Sequence, residues 1–294
     1  MPLYKYVTAE IALKILGGSI RFTQPGAFND PFELLPQFIT SPELDGTSCE
    51  LQVGCVGSRR KGISRSHKSH VSQYSSDLQA RMIISSLNSA VGILCLSKNP
   101  ESLLMWGHYA DEYRGAVIEL DDKHDFFEGL IPIQYKKKRP IYDIHDFISK
   151  PFPIADLCVK PNDWAYEREV RIARPLSECK EVGKDNNGNS VMVGPIPLEC
   201  IVGVTMGERM TVDNQRKIWS LIKDTKASLQ LAAVSNWEYT FRMEPIKFKG
   251  DLIGTPIISA RTAHVFKDDP GQFGEAARWM IEKHPSSEFV NTLC

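Results

Sequence analysis

"VGILCLSKNPESLLMWGHYADEYRGAVIELD" (Val91–Asp121) decides the fold class, because its hydrophobic period changes twice in one short stretch. Val91–Ser97 is a continuous apolar run, the pattern of a buried strand. Pro100, with Asn99 before it as N-cap, predicts a helix from about Pro100 to Asp111. Leu103, Trp106 and Ala110 then share one face, Tyr109 lies at its margin, and Tyr113 continues the face just past the helix. His108 points about 100° away from Tyr109 and so leaves the apolar stripe. "RGAVIELD" returns to period two, with Ala116, Ile118 and Leu120 on one side and Val117, Glu119 and Asp121 on the other. Strand, helix and strand in immediate succession imply α+β layering.

The flanks extend that alternation. "LYKYVTAEIALKILGGSIRFTQP" reads as a strand, an amphipathic helix capped by Thr8 and stopped at Gly17-Gly18, and a second strand from Ile20 to Thr23 closed by Pro25. "GAFNDPFELLPQF" is an Asn/Asp/Pro turn between phenylalanines. "DLQARMIISSLN" reads as a helix. "WAYEREVRIARP" alternates as a strand that places Glu167, Glu169 and Arg171 on one face. "DNNGN" is a turn, "GPIPLECIVGVTMG" a strand, Val212–Leu229 a helix capped near Asp213, and "LQLAAVS" and "WEYTFRMEPIKF" two further strands. Beyond about Gly250 the pattern loosens around a short helix at Glu275–Lys283. With no internal repeat and no clear linker, the economical architecture is a single α+β domain over 1–250, a mixed or antiparallel sheet with flanking helices, followed by a C-terminal extension over 251–294.

Bulk properties narrow the function classes. The chain has 294 residues, a formal net charge of −1 and 42% hydrophobic residues, ordinary for a globular protein and contrary to a wholesale nucleic-acid coat. Its apolar runs are too short for a membrane span, and "MPLYKYVTAE" lacks the layout of a signal peptide, so a cytoplasmic location is expected. The seven cysteines are odd in number and show no CxxC spacing, which indicates neither a disulfide framework nor a zinc ribbon. Residues 41–76 read as a flexible basic insertion, and "GSRRKGISRSHKSHVSQYSS" lacks any acidic residue. Its part at 59–68 is the candidate contact for a nucleic-acid or protein target, against the plainer reading of a solvated loop.

Three constellations could carry chemistry, each with a plainer alternative. Glu167, Glu169 and Arg171 lie about 7 Å apart along a strand face, forming a self-compensating ladder in water or a catalytic carboxylate with its orienting cation in a cleft. His108 with Tyr109 and Asp111 could mark a metal corner, but no second pair supports it. Trp106 and Tyr109 read as packing residues, and His108 as the better candidate for chemistry. Asn29, Asp30 and Glu33 form a polar knot that is either an ordinary Asx turn or a fixed amide and carboxylate anchored by Phe28 and Phe32. The chain has no GxSxG and no GxxxxGK[ST].

Three ordered segments, "LYKYVT…IRFTQPGAFNDPFE", "ILCLSKNPESLLMWGHYADEYRGAVIELD" and "DWAYEREVRI", followed by "IPLECIVGVTMGERM", resemble a bacterial family catalogued only as a domain of unknown function and akin to the AbiGi abortive-infection proteins. The resemblance spans Leu3–Phe248 and implies a role in phage defence without implying an activity. The order of strands is also similar to that of ADP-ribosyltransferases, including DarT-type enzymes that modify nucleic acid. That resemblance implies a split-sheet fold and NAD as co-substrate. It further implies a middle-strand serine supporting the nicotinamide ribose, matched by Ser97, and a late catalytic glutamate, matched by Glu169 or Glu167. At the first-strand position this chain has Tyr4, Lys5 and Tyr6 where that superfamily has His or Arg, with Arg21 on the next strand.

The leading expectation is an NAD-dependent ADP-ribosyltransferase-like effector that modifies a macromolecule. Glu169, Glu167 and His108 would be catalytic, and Tyr4, Tyr6, Arg21, Asn29, Asp30, Ser97, Tyr109 and Arg171 would bind substrate. The alternatives are a non-catalytic sensor or interaction module, and a metal-dependent hydrolase or nuclease using Asp30, His108 and the paired glutamates.

Overall fold

A computed structural model describes residues 1–39, 76–144, 147, 152–250 and 256–292, with strand fragments at 48–49, 52–54, 63–64 and 69–70. The expected basic contact at 59–68 and most of the insertion at 41–76 fall outside the described residues. The fold is α+β, with mixed, mostly antiparallel strand pairing and flanking helices. Two compact units share the chain, and both are discontinuous: one comprises 1–19, 98–122 and 196–294, the other 20–97 and 123–195. No described helix is long and apolar enough to cross a membrane.

In the first unit the strands Leu3–Val7, Ala116–Leu120, Ile201–Met206, Ser228–Val234 and Phe241–Lys247 lie side by side in that order. Only the Ile201–Met206 and Ser228–Val234 pair is parallel, and helix Val212–Ile222 forms its crossover. Helix Ala9–Leu16 packs against this crossover helix. Thr8 caps the former as expected, its Oγ1 accepting from the Ile11 N–H. The crossover helix is shorter than the predicted Val212–Leu229, because Leu229 is already a strand residue, and its cap is Thr211 rather than Asp213. Beyond residue 250 the described residues form three helices, Ala263–Phe266, Gln272–Glu282 and Ser287–Thr292, where one was expected.

The helix in the opening stretch is Leu103–Tyr109, shorter at both ends than predicted. At its start Asn99 folds back to accept from the Glu101 N–H, and Ser102 takes the capping role toward Met105. At its end Asp111, Glu112 and Tyr113 adopt left-handed φ values of 49°, 50° and 72°. L-residues reach that region only at a cost, so the turn must be held from outside. Tyr113 donates its hydroxyl to the Leu103 carbonyl and stacks on Trp106, while the Gly115 N–H bonds the Ala110 carbonyl. Trp106 is fully buried against Tyr6, Tyr113 and Phe241, which makes it a packing residue as the sequence suggested.

In the second unit Val91–Ser97 pairs antiparallel with Glu169–Pro175, which pairs in turn with Ile131–Pro132. Two parallel pairs lie beside them, Gln134–Lys136 with Val159–Pro161 and Ile141–Asp143 with Gln37–Ile39. Leu34, Phe38, Ile83, Leu87, Val91 and Ile93 belong to the core, with helix Ser76–Asn88 contributing Ile83 and Leu87. The hairpin Lys180–Lys184 and Ser190–Pro195 turns at Asp185–Asn189, as "DNNGN" predicted.

One expected strand is broken. Residues Asn162–Glu167 form a 3-10 turn, Arg168 closes it in the left-handed region at φ 45° and ψ 46°, and the strand begins only at Glu169. Simple alternation therefore does not explain why Glu167 and Glu169 both turn inward. The left-handed Arg168 between them supplies the reversal.

Candidate functional site

Five charged side chains of the second unit meet in its interior: Glu33, Lys160, Glu167, Glu169 and Arg171, none more than 7% exposed. Glu33 comes from the "FNDPFE" turn, where Asp30 Oδ1 accepts from the Phe32 N–H at 2.9 Å and the Asp30 carbonyl accepts from the Glu33 N–H at 3.1 Å. Leu34, the next residue, has a φ of 52°, a strained conformation inside the core. Lys160 comes from the short parallel strand Val159–Pro161 and stands opposite Tyr135 in register.

The ammonium of Lys160 lies 2.6 Å from Glu167 Oε2, 3.0 Å from Glu169 Oε2 and 3.1 Å from Glu33 Oε1. Arg171 donates from Nε to Glu169 Oε1 at 2.7 Å and from Nη2 to both oxygens of Glu33 at 2.8 Å, with a longer Nη2 contact of 3.2 Å to Glu169 Oε2. Aromatic faces close the two cations: Trp164 lies 4.9 Å from Lys160 Nζ, and Phe28 lies 5.0 Å from the Arg171 guanidinium carbon. The Tyr135 hydroxyl accepts from the Glu169 N–H at 2.8 Å, and the Ser97 hydroxyl donates to the Glu167 carbonyl.

Three carboxylates face two cations, so the cluster carries one formal negative charge in excess. Burial works to raise the Glu169 pKa, but Arg171 and then Lys160 overcome it and hold the carboxyl at about 2. Burial likewise opposes the charge on Lys160, yet Glu169, Glu33 and Glu167 push its pKa up. Glu169 is therefore an anion throughout the physiological range. It can stabilise a developing positive charge or accept a hydroxyl hydrogen bond, but it cannot act as a general acid. Burial pushes the Tyr135 phenol up to about 12, which keeps it neutral. Arg171 Nη1 and Asp30 Oδ2 are buried without a hydrogen-bond partner among the described residues.

Of the residues named from sequence, Arg21, Asn29, Asp30, Ser97, Glu167, Glu169 and Arg171 lie in this unit. Ser97 and Glu169 are direct cross-strand partners. Asp30 is buried at the turn that delivers Glu33, whereas Asn29 is exposed. Arg21 instead pairs with Asp185 of the hairpin turn at 3.0 Å, and this partner holds the Asp185 carboxyl below its ordinary value.

Tyr4, Tyr6, His108 and Tyr109 belong to the first unit. The Tyr6 hydroxyl donates to the Asn99 carbonyl at 2.9 Å and accepts from the Ser102 N–H at 3.3 Å, so it braces the start of the Leu103–Tyr109 helix. Burial pushes the Tyr6 phenol pKa up, and burial followed by Glu119 and Glu101 does the same for Tyr4. His108 is exposed and meets Tyr109 edge-on at 6.2 Å between ring centroids. No group of three or more His, Cys, Asp or Glu among the described residues is placed to hold a metal ion.

Sequence patterning did not single out Lys160 or Tyr135, and it placed Glu33 in the polar knot of the "FNDPFE" turn without joining it to Arg171. One signal was available for Lys160: a single cation between Val159 and Pro161. Comparisons of the chain with protein-family models, curated proteins and solved structures found no match.

Proposed function

We propose that the chain is a cytoplasmic defence or effector enzyme of ADP-ribosyltransferase-like split-sheet architecture, which transfers the ADP-ribosyl group of NAD to a macromolecule. The single observation that carries this reading is the register pairing of Ser97 with Glu169 at the ends of adjacent antiparallel strands. This places a hydroxyl and a carboxylate that Arg171 and Lys160 keep ionised at neutral pH on neighbouring strand ends, the pair that such chemistry asks to address a ribose. The bond between the ribose anomeric carbon and nicotinamide breaks, nicotinamide leaves, and a nucleophile of the target bonds to that carbon and releases its proton. Glu169 would stabilise the positive charge that develops on the sugar. A ribose hydroxyl would reach Glu169 by replacing the 3.2 Å contact from Arg171 Nη2, the longest the carboxylate makes to Lys160 or Arg171.

A second reading, a non-catalytic interaction module, is favoured by the closure of the cluster. Both oxygens of Glu169 already accept from cations, and its exposure is 7%. Incubation with NAD labelled in the adenylate half separates the two readings. The first expects label on a macromolecule and release of nicotinamide, both lost in Glu169→Gln while the variant keeps its circular dichroism spectrum. Intact NAD after incubation with wild-type protein and cell extract sinks the enzyme reading and leaves the module.

A further inference from the structure

Beside the charge cluster, with Lys160 common to both, the second unit has a pocket of about 250 Å³ whose chemistry is one-sided. Four consecutive cations, Lys136, Lys137, Lys138 and Arg139, line it, and no described Asp or Glu does; Lys160 also lines it, but Glu33, Glu167 and Glu169 hold its ammonium. The four are exposed, and no ion pair to them is found among the described residues. The segment is nevertheless fixed at both ends. Lys136 stands in register with Pro161, and the Pro140 carbonyl accepts from the Gln37 N–H at 2.9 Å. Holding four like charges together in the absence of carboxylates costs electrostatic energy, which an anion would offset.

The lining also carries an aromatic surface. Phe32 is 54% exposed, and the Arg139 guanidinium carbon lies 5.0 Å from its ring centroid. The Asx turn that sends Glu33 into the buried cluster thus presents its neighbour Phe32 at the pocket, next to a strained Leu34. Strain retained at a turn of this kind is consistent with a constrained, functional geometry.

We propose that this pocket binds the pyrophosphate group of a nucleotide. Lys136, Lys137 and Lys138 supply charge-assisted donors to the phosphate oxygens, and Phe32 with Arg139 offers a stacking surface for the base at the mouth. Size supports a partial enclosure: the volume falls below the roughly 300–1,000 Å³ of pockets that enclose a whole drug-sized ligand. The anionic end enters, and the rest of the molecule stays outside. The pocket shares Lys160 with the buried cluster, where that ammonium lies 3.0 Å from Glu169, but the proposal does not rest on ADP-ribosyl transfer.

Isothermal titration of the full chain with three probes tests the proposal: inorganic pyrophosphate, ADP, and a mixed-sequence single-stranded oligonucleotide. The proposal expects pyrophosphate and ADP to compete for one site, with affinity falling as salt rises. The surface variant Lys137→Ala/Lys138→Ala should weaken both by roughly tenfold or more. Phe32→Ala should weaken ADP and spare pyrophosphate. Oligonucleotide binding that pyrophosphate displaces would identify a nucleic-acid strand as the source of the same phosphate chemistry. The absence of pyrophosphate and ADP binding by the wild-type chain at millimolar concentration, or binding unchanged in Lys137→Ala/Lys138→Ala, overturns the proposal.

Discussion

Arg171 grips Glu33 with a single nitrogen: Nη2 lies 2.8 Å from each of the two carboxylate oxygens, across 138 residues of chain. The contact ties the early "FNDPFE" turn to the late strand Glu169–Pro175 in the interior, where water cannot stand in for either partner. Removing the cation while keeping its bulk, as in Arg171→Met, leaves Glu33 and Glu169 short of charge. Breaking a buried pair from one side costs about 3–5 kcal/mol, and urea denaturation should read a loss of that order. Arg171→Lys should recover part of it. A stability unchanged in Arg171→Met would show that the cluster is not a brace.

Acid should weaken the same cluster in a defined window. The folded pKa of Glu169 is depressed from 4.5 to about 2, so its contribution is fully present above 4.5 and is lost as pH falls toward 2. Urea midpoints measured from pH 6 downward should therefore decline across that window. Glu169→Gln should start from a lower midpoint at neutral pH and show a flatter acid limb.

The left-handed Arg168 marks a position where a side chain works against the backbone. Arg168→Gly should be neutral or stabilising by about 1 kcal/mol, because glycine reaches this region without a Cβ penalty. Arg168→Val should destabilise and loosen the paired inward turn of Glu167 and Glu169. A thermal melt of the two variants settles the order, and a more stable valine variant would contradict it.

Two glycines seat the left-handed turn of the first unit. A Cβ on Gly115 would meet the Val7 carbonyl oxygen at 2.1 Å, and one on Gly207 would meet the Tyr113 carbonyl oxygen at 2.1 Å. Neither neighbour is the end of a flexible side chain, so Gly115→Ala and Gly207→Ala should each cost about 1–3 kcal/mol. Gly107, whose Cβ would meet nothing within 4 Å, serves as the control for alanine substitution.

Cys158 and Cys200 should resist alkylation at neutral pH. Burial pushes their thiols to about 11 and about 12, and both are at most 1% exposed. Peptide mapping after maleimide treatment should find them unmodified in the folded chain and labelled in urea. Rapid native labelling of Cys158 would mean that the neighbourhood of the charge cluster opens readily.

Much of this architecture was legible because period and punctuation are local signals. Val91–Ser97 is a strand over the span its apolar run defines, and Thr8 caps its helix as its side chain allows. Errors gathered where a second local choice competed. Ser102 outbid Asn99 for a cap because Asn99 satisfied Glu101 instead. A left-handed arginine hid the break before Glu169, since no glycine advertised it. Glu167, Glu169 and Arg171 do share one environment, but the left-handed Arg168 rather than strand alternation turns Glu167 inward, and Lys160 and Glu33 join through tertiary contacts that no spacing encodes.

The two-unit partition also sets an order of events during synthesis. The second unit has all of its segments once residue 195 has been made, whereas the first unit still lacks 196–294, which hold three of its five strands. At about 5–20 residues per second of translation, the Ala116–Leu120 strand waits several seconds for its partner Ile201–Met206 to arrive. Synthesis therefore completes every segment of the charge-bearing unit before the strands Ile201–Met206, Ser228–Val234 and Phe241–Lys247 of the other unit exist.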